Sequence, residues 1–210
     1  MFFAVAMAAC VAALLAAEYR ASRAGVWLAK PAAATCFVAA ALAWGALDSE
    51  YGSIVLAGLV LSLCGDVLLI PHERARVFQA GVAAFGLGHV AYLAAFALRF
   101  ESFPRAALAA VIATLVLARV LPWLRPHLPA EMNALVRAYM VVISAMLVFA
   151  AGASPSDPRI FVGAALFYAS DLAVARDRFV APGFANRAWG LPLYFAAQLV
   201  IASTVRSLQQ

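Results

Sequence analysis

The chain has 210 residues, of which 67% are hydrophobic and only 12% are charged, and its mean hydropathy is +0.95. Soluble globular proteins have about 45–50% apolar and about 25% charged residues, so this composition excludes a soluble domain, a disordered segment and a secreted disulfide scaffold. It is typical of a polytopic membrane protein. The net charge of +5 does not indicate a nucleic-acid partner, because the basic residues concentrate in the loops between apolar stretches.

Eight stretches are long and apolar enough to cross a hydrocarbon core of about 30 Å, which takes roughly 20 helical residues. Proline, glycine and charged residues separate the stretches, and the connecting loops are short. We therefore predict an all-α fold in which residues 1–210 form a single domain, one bundle of eight transmembrane helices. The predicted spans are Met1–Ala17, Pro31–Leu47, Gly52–Ile70, Val77–Leu98, Pro104–Leu121, Met132–Ala151, Arg159–Ala175 and Ala188–Val205.

Lys and Arg are distributed unevenly between the two sides of the predicted bundle. The odd-numbered loops contain ten of the fifteen basic residues, and the termini and even-numbered loops contain four. Cytoplasmic loops of membrane proteins are enriched in Lys and Arg. The odd-numbered loops are therefore predicted to be cytoplasmic and both termini to be outside, in an integral multi-pass protein of a bacterial inner or cell membrane.

Similar motifs occur at matching positions in the two halves of the chain. Span three ends in LSLCGDVLLI and span seven ends in LFYASDLAVA, which places Asp66 and Asp171 105 residues apart, half the length of the chain. Three residues of span four have the same spacing as three of span eight: Gly81, Phe85, His89 and Gly190, Tyr194, Gln198. We predict a four-plus-four internal repeat with parallel halves. The alternative is chance similarity between alanine-rich helices.

Asp66 and Asp171 stand out because an ionisable side chain at membrane depth costs about 2.5–3.5 kcal/mol on insertion scales and marks a function or a partner. Each aspartate precedes a predicted cytoplasmic loop by about five residues, or roughly 7 Å at 1.5 Å rise per residue. We therefore predict that the two carboxyl groups share one pocket. The alternative is structural: each aspartate caps a neighbouring helix or pairs with Arg137 or Lys30.

Further polar side chains cluster near the same level of the predicted bundle. Lys30 opens span two together with Pro31, and Tyr168 has the i, i+3 spacing that places it on the same helix face as Asp171. We predict that a larger set binds the substrate of the pocket: Lys30, His89, Tyr92, Arg137, Tyr139, Tyr168, Tyr194 and Gln198. The alternative interpretation is that the tyrosines are interface anchors and that the amides bridge helices.

Four motifs give the chain a resemblance to a known family: LSLCGDVLLIP (Leu61–Pro71), FQAGVAAFGLGHVAYLAAF (Phe78–Phe96), LFYASDLAVARDRF (Leu166–Phe179) and LYFAAQLVIA (Leu193–Ala202). In order and spacing they resemble the YhhN family of membrane proteins, which includes the lysoplasmalogenases. The resemblance covers nearly the whole chain. It implies an eight-helix enzyme that hydrolyses the vinyl ether bond of a lysoplasmalogen, without a metal or an organic cofactor. It also implies that Asp66 and Asp171 are the two active-site aspartates.

This chemistry suits a pair of carboxyl groups. Protonation of the outer alkene carbon of a vinyl ether generates an oxocarbenium ion, water adds to it, and the hemiacetal collapses to an aldehyde and an alcohol. Glycoside hydrolases use one carboxylic acid and one carboxylate for a similar cation. The sequence does not decide which aspartate is the acid, although the neighbouring Tyr168 favours Asp171, with Asp66 as the base. The predicted partners are a single-chain ether lysophospholipid and membrane lipids.

Two other classes of function use the same features. A proton-coupled transporter of small molecules or lipids would also need intramembrane aspartates and repeated halves. Against it, no predicted span is broken at mid-membrane, and the polar cluster lies near one face. A structural protein without chemistry would use the aspartates only to hold helices together.

Overall fold

Eight long helices joined by short loops make up almost all of residues 2–71 and 73–208, which are the residues that the computed structural model describes. Each helix is long and apolar enough to cross a membrane, and the described residues contain no strand. The prediction of an all-α, eight-span integral membrane protein is therefore confirmed. Met1, with which predicted span one begins, lies outside the described residues. The helices are α1 (Phe2–Tyr19), α2 (Arg23–Ala43), α3 (Glu50–Leu68), α4 (Ala75–Ala97), α5 (Phe103–Leu124), α6 (Ala130–Ala153), α7 (Pro158–Ala175) and α8 (Phe184–Ser203).

The second helix begins eight residues earlier than the sequence predicts. The predicted span begins at Pro31, whereas α2 begins at Arg23 and contains Pro31 in its interior. The hydroxyl oxygen of Ser22 starts the helix by accepting a hydrogen bond from the Gly25 N–H at 3.2 Å, which satisfies a backbone donor that has no partner within the helix. Interior proline is tolerated in membrane helices because neighbouring groups compensate for the lost hydrogen bond. Lys30 therefore lies about two turns inside α2 and not at its start.

Six of the helices form a closed ring. Around this ring α2 packs against α3, α3 against α4, α4 against α6, α6 against α7 and α7 against α8, and α8 packs against α2. Helix α1 packs outside the ring against α2 and α8, and α5 packs against α6. Because consecutive spans alternate in direction, loops one, three, five and seven lie together at one end of the bundle, here named the odd-loop end.

Glycines at matching positions bring α3 close to α4 and α7 close to α8. A Cβ atom on Gly58 would lie 2.4 Å from Cε1 of Tyr92, and one on Gly163 would lie 2.6 Å from Cγ1 of Ile201. The two glycines are 105 residues apart, which is also the separation of the two aspartates. The residues that they contact, Tyr92 and Ile201, are 109 residues apart, which is also the separation of Gly81 and Gly190. These contacts support the four-plus-four repeat, which stays a prediction, as do the single domain and the orientation of loops and termini.

Candidate functional site

A cavity of about 750 Å³ at the odd-loop end is the candidate site. Much of its wall is apolar and includes Val82 of α4, Met140 of α6 and Leu191 of α8. Asp66 of α3 and Asp171 of α7 both lie on this wall, so the structure places the two aspartates in one cavity. Its volume falls within the range of roughly 300–1,000 Å³ that small-molecule sites occupy.

The two aspartates differ in their distance from the helix ends, whereas the sequence predicts about five residues between each aspartate and the loop that follows it. Asp66 lies two residues before the end of α3 at Leu68, because Pro71 disfavours helical conformation in the residue before it and the helix stops early. Asp171 lies four residues before the end of α7, and the chain continues as a π-helix over Arg176–Val180.

Both carboxylate oxygens of Asp66 have partners. Lys30 Nζ lies 3.3 Å from Oδ1, and the Tyr194 hydroxyl donates a hydrogen bond to Oδ2 at 2.6 Å. The side chain of Asp66 is 2% exposed. Behind Tyr194, the Gln198 amide donates to the tyrosine hydroxyl at 3.3 Å, and the Tyr92 hydroxyl donates to Gln198 Oε1 at 2.7 Å. Asp66 therefore forms a buried ion pair with Lys30 and lies at the end of a chain of hydrogen bonds.

Asp171 has a different environment. The Tyr139 hydroxyl donates to its Oδ2 atom at 2.6 Å, and His89 Nε2 lies 2.8 Å from the same hydroxyl and 3.6 Å from Oδ2. The side chain of Asp171 is 19% exposed. Within residues 2–71 and 73–208, no Lys or Arg pairs with this carboxyl group, and its Oδ1 atom accepts no hydrogen bond from a side chain.

Aromatic side chains pack at the cavity on the side away from the loops, where Phe85 lines the wall and Phe167 packs behind it. The rings of Phe85 and Phe167 lie 5.7 Å and 5.3 Å from the ring of Tyr194, in edge-to-face contact. Tyr168 also lines the cavity, and its hydroxyl lies 3.3 Å from the Ser144 hydroxyl. The apolar packing of Phe85 and Phe167 was not part of the sequence-based site, because phenylalanine is too common in membrane helices to mark a site by itself.

Four of the predicted substrate-binding residues do not lie on the cavity wall. Tyr92, His89 and Gln198 are fully buried behind the wall, where they hold other side chains. Their helix faces point inward as predicted, but one to two turns farther from the odd-loop end than the cavity reaches. Arg137 is exposed on the outside of α6, because it lies two residues, or about 200° of helical rotation, from the inward-facing Tyr139.

The remaining predicted residues do line the cavity: Lys30, Tyr139, Tyr168 and Tyr194, together with the two aspartates. A charged rim that the sequence did not predict lies at the mouth of the cavity. There Arg187 pairs with Glu18 at 2.9 Å and with Asp177 at 3.0 Å, and Arg23 pairs with Glu73. The only available signal was that acidic residues accompany the basic residues in loops one, three and seven.

The arrangement supplies a carboxyl group paired with a lysine, a second carboxyl group with an oxygen that no described side chain hydrogen-bonds, and an apolar wall that leads to a charged rim. Such a pair can donate a proton to a bound molecule and stabilise a positive charge that forms on it. In the part of the chain that the structure describes, no group of three or more His, Cys, Asp or Glu side chains is arranged to hold a metal ion.

The profile of the YhhN family matches residues 25–205, a stretch that includes both aspartates and most of the cavity wall. The chain belongs to the YhhN family. No solved structure gives a significant match.

Several curated relatives of this YhhN-family chain are named as lysoplasmalogenases. The chain is 31% identical over 157 residues to "Lysoplasmalogenase TMEM86A" of Bos taurus, a match that covers 70% of the chain and 63% of the relative. It is 34% identical over 156 residues to "Lysoplasmalogenase" of Mycobacterium bovis, covering 71% of the chain and 59% of the relative. It is 32% identical over 157 residues to "Lysoplasmalogenase TMEM86B" of Sus scrofa, covering 74% of the chain and 64% of the relative. The matches thus span less than two thirds of each relative.

Proposed function

We propose that this protein is a membrane-embedded hydrolase that cleaves the vinyl ether bond of a lysoplasmalogen to a fatty aldehyde and a glycerophospho-head-group alcohol. The observation that carries the proposal is the location of Asp66 and Asp171 on the wall of one apolar cavity, in a chain whose relatives are named lysoplasmalogenases. A single-chain lipid suits a cavity that has apolar walls and a charged rim.

Asp171 acts as the general acid in this proposal. Its Oδ2 atom accepts the Tyr139 hydrogen bond, and no described side chain donates to Oδ1. A proton on Oδ1 can therefore pass to the outer alkene carbon of the bound lipid. The C–H bond forms as the alkene electrons move, and the carbon attached to the ether oxygen becomes an oxocarbenium ion.

Asp66 acts as the carboxylate partner. Its ion pair with Lys30 supports assignment of the charged form, which can stabilise the oxocarbenium ion and accept a proton from the attacking water. The resulting hemiacetal transfers its hydroxyl proton to the ether oxygen as the C–O bond breaks. The proton gained by Asp66 returns through water to Asp171, so the reaction consumes one water molecule and leaves both residues unchanged.

The rim is the proposed location of the lipid head group. Arg23, Arg178 and Arg187 lie on the cavity wall there and provide cationic groups for a phosphate. Of the basic residues that the sequence predicted to bind the substrate, Lys30 lines the cavity beside Asp66, and Arg137 does not line it.

The proposal is tested by aldehyde release from a lysoplasmalogen with detergent-purified protein, using the saturated alkyl-ether analogue as the negative control. We expect Asp66→Asn and Asp171→Asn each to lower kcat/KM by about 10²-fold or more, the range that loss of a general acid or base produces. Asp48→Asn, on an exposed loop at the opposite end, is the matched control and should keep full activity.

A monodisperse wild-type protein that releases no aldehyde would contradict the proposal. Proton-coupled uptake by the same protein in vesicles, lost in the two aspartate variants, would then favour the transporter.

A further inference from the structure

His89 is a fully buried side chain that no step of the proposed reaction uses. Its Nε2 atom lies 2.8 Å from the Tyr139 hydroxyl, and its ring is in edge-to-face contact with Phe167 at 4.5 Å. The other ring nitrogen, Nδ1, is buried and has no hydrogen-bond partner within residues 2–71 and 73–208. The side chain does not line the cavity, so it does not contact a molecule bound there.

The hydrogen bonds of Tyr139 determine the protonation of His89. A tyrosine hydroxyl has one proton, and Tyr139 donates it to Asp171 Oδ2 at 2.6 Å. The hydroxyl must therefore accept a hydrogen bond from His89, which places a proton on Nε2. A second proton on Nδ1 would be a buried donor without an acceptor, a costly state, so the contacts of the ring favour the Nε2–H tautomer.

A similar arrangement holds the other carboxylate. Tyr194 donates to Asp66 Oδ2, and behind it Gln198 donates to the tyrosine hydroxyl at 3.3 Å. His89 of α4 and Gln198 of α8 are matched positions of the predicted repeat, and in both places a neutral N–H donor lies behind a tyrosine. What the His89 position supplies is therefore a hydrogen-bond donor, a role in which an amide can replace the imidazole.

We infer that His89 is a positioning residue that fixes the Tyr139 hydroxyl as a donor to Oδ2 of Asp171, so that the acidic proton of Asp171 resides on Oδ1. This inference rests on the proposed function for its kinetic consequence, because only Oδ1 is left to protonate the substrate. Without His89 the Tyr139 hydroxyl can rotate, and the Asp171 proton can reside on Oδ2, where it is unproductive.

The kinetic test compares His89→Leu with His89→Gln in the lysoplasmalogen assay. We expect His89→Leu to lower kcat about tenfold or more with KM within about twofold, because the side chain does not contact substrate. His89→Gln, whose amide reaches about as far as Nε2 and donates a hydrogen bond, should retain kcat within about threefold of wild type. In a Tyr139→Phe background, His89→Leu should cause no further loss, because His89 acts through that hydroxyl.

Three kinetic results would overturn the inference: a folded His89→Gln protein with kcat as low as that of His89→Leu, a His89→Leu protein as active as wild type, or additive losses in the double variant. If His89→Leu does not fold, the measurement described next, which uses only the wild type and His89→Gln, still decides. A measurement without turnover separates this inference from the proposed function. The ¹⁵N resonances of the imidazole, assigned by their absence in His89→Gln, should report the neutral Nε2–H tautomer, and an imidazolium or an Nδ1–H tautomer would overturn the inference even if the protein hydrolyses no lipid.

Discussion

Lys30 is the residue that makes the two aspartates chemically different. Its ammonium group pairs with Asp66, whereas no Lys or Arg among the described residues pairs with Asp171, whose polar contacts are Tyr139 and His89. In the proposed reaction, this ion pair supports the charged form of Asp66 and leaves Asp171 to act as the acid. The proposed roles of the two aspartates thus rest on one cation on α2.

Loss of this cation should reduce both stability and activity. Lys30→Gln leaves the Asp66 carboxylate buried without a counter-charge, and breaking a buried pair in this way costs about 3–5 kcal/mol. We expect a lower melting temperature in detergent and a turnover at least about tenfold below wild type. Arg137→Gln removes an equal charge from the outer face of α6, near the same end of the bundle, and should leave both quantities unchanged. Equal behaviour of the two variants would contradict the assigned role of Lys30.

Sequence reasoning at this scale identified the aspartates but not the geometry around them. A carboxylate at membrane depth is conspicuous because the bilayer penalises it. The helical period predicts which residues share a helix face, as for Tyr194 and Gln198. It does not predict how far along that face the cavity extends. His89 and Tyr92 were therefore predicted to bind substrate, whereas they lie behind the cavity wall. The Lys30–Asp66 pair was named only as one structural alternative, because pairing between helices depends on packing.

At the scale of the elements, small residues allow α3 and α4 to approach each other. Gly58 faces the Tyr92 ring, and a Cβ atom there would lie 2.4 Å from a ring carbon that is itself fully buried. Close approach of this kind is how helices associate in membranes, where apolar burial alone provides no driving force. The α3–α4 contact also holds Asp66 near the cavity.

Gly58→Ala should therefore destabilise the bundle. Overpacking of a filled site costs about 1–3 kcal/mol, which exceeds the gain of about 0.5–1 kcal/mol from the better helix propensity of alanine. The matched control is Gly86→Ala on α4, whose Cβ would lie at an ordinary 3.6 Å from Tyr139 and should be neutral or slightly stabilising. Thermal melting of both variants in detergent measures the difference. A Gly58→Ala protein as stable as Gly86→Ala would contradict the packing described for α3 and α4.

Helix boundaries were harder to predict than the helices themselves. The apolar stretches gave eight spans because bilayer thickness imposes a minimum length. The predicted start of α2 at Pro31 was wrong, because the helix begins directly after its N-cap residue Ser22. A proline near the start of an apolar stretch can lie either in the first turn of a helix or, in a membrane helix, in its interior.

At the scale of the whole molecule, the cavity opens at the odd-loop end, where the basic residues concentrate. If the positive-inside rule applies, this end faces the cytoplasm and the substrate enters from the inner leaflet. The closed ring of six helices surrounds the site, and α1 and α5 pack outside it. The ring itself was not predicted, because composition and loop length identify sequential neighbours but not the contacts of α4 with α6 or of α8 with α2.

The orientation can be measured with single cysteines in a protein whose three native cysteines are replaced by alanine. Ser156→Cys is exposed in loop six, and His127→Cys is exposed in loop five. We expect an impermeant maleimide to label Ser156→Cys in intact cells and to label His127→Cys only after permeabilisation. The reverse pattern would contradict the predicted topology and place the cavity mouth outside.

The central claim is that Asp171 protonates a carbon atom of the lipid, and the most direct measurement is the reaction run in D₂O. The aldehyde is trapped at once by borohydride reduction and analysed by mass spectrometry. Protonation of the outer alkene carbon predicts one deuterium on the carbon next to the former carbonyl, and no product from Asp171→Asn. Aldehyde without deuterium at that carbon, or undiminished release by Asp171→Asn, would contradict the account.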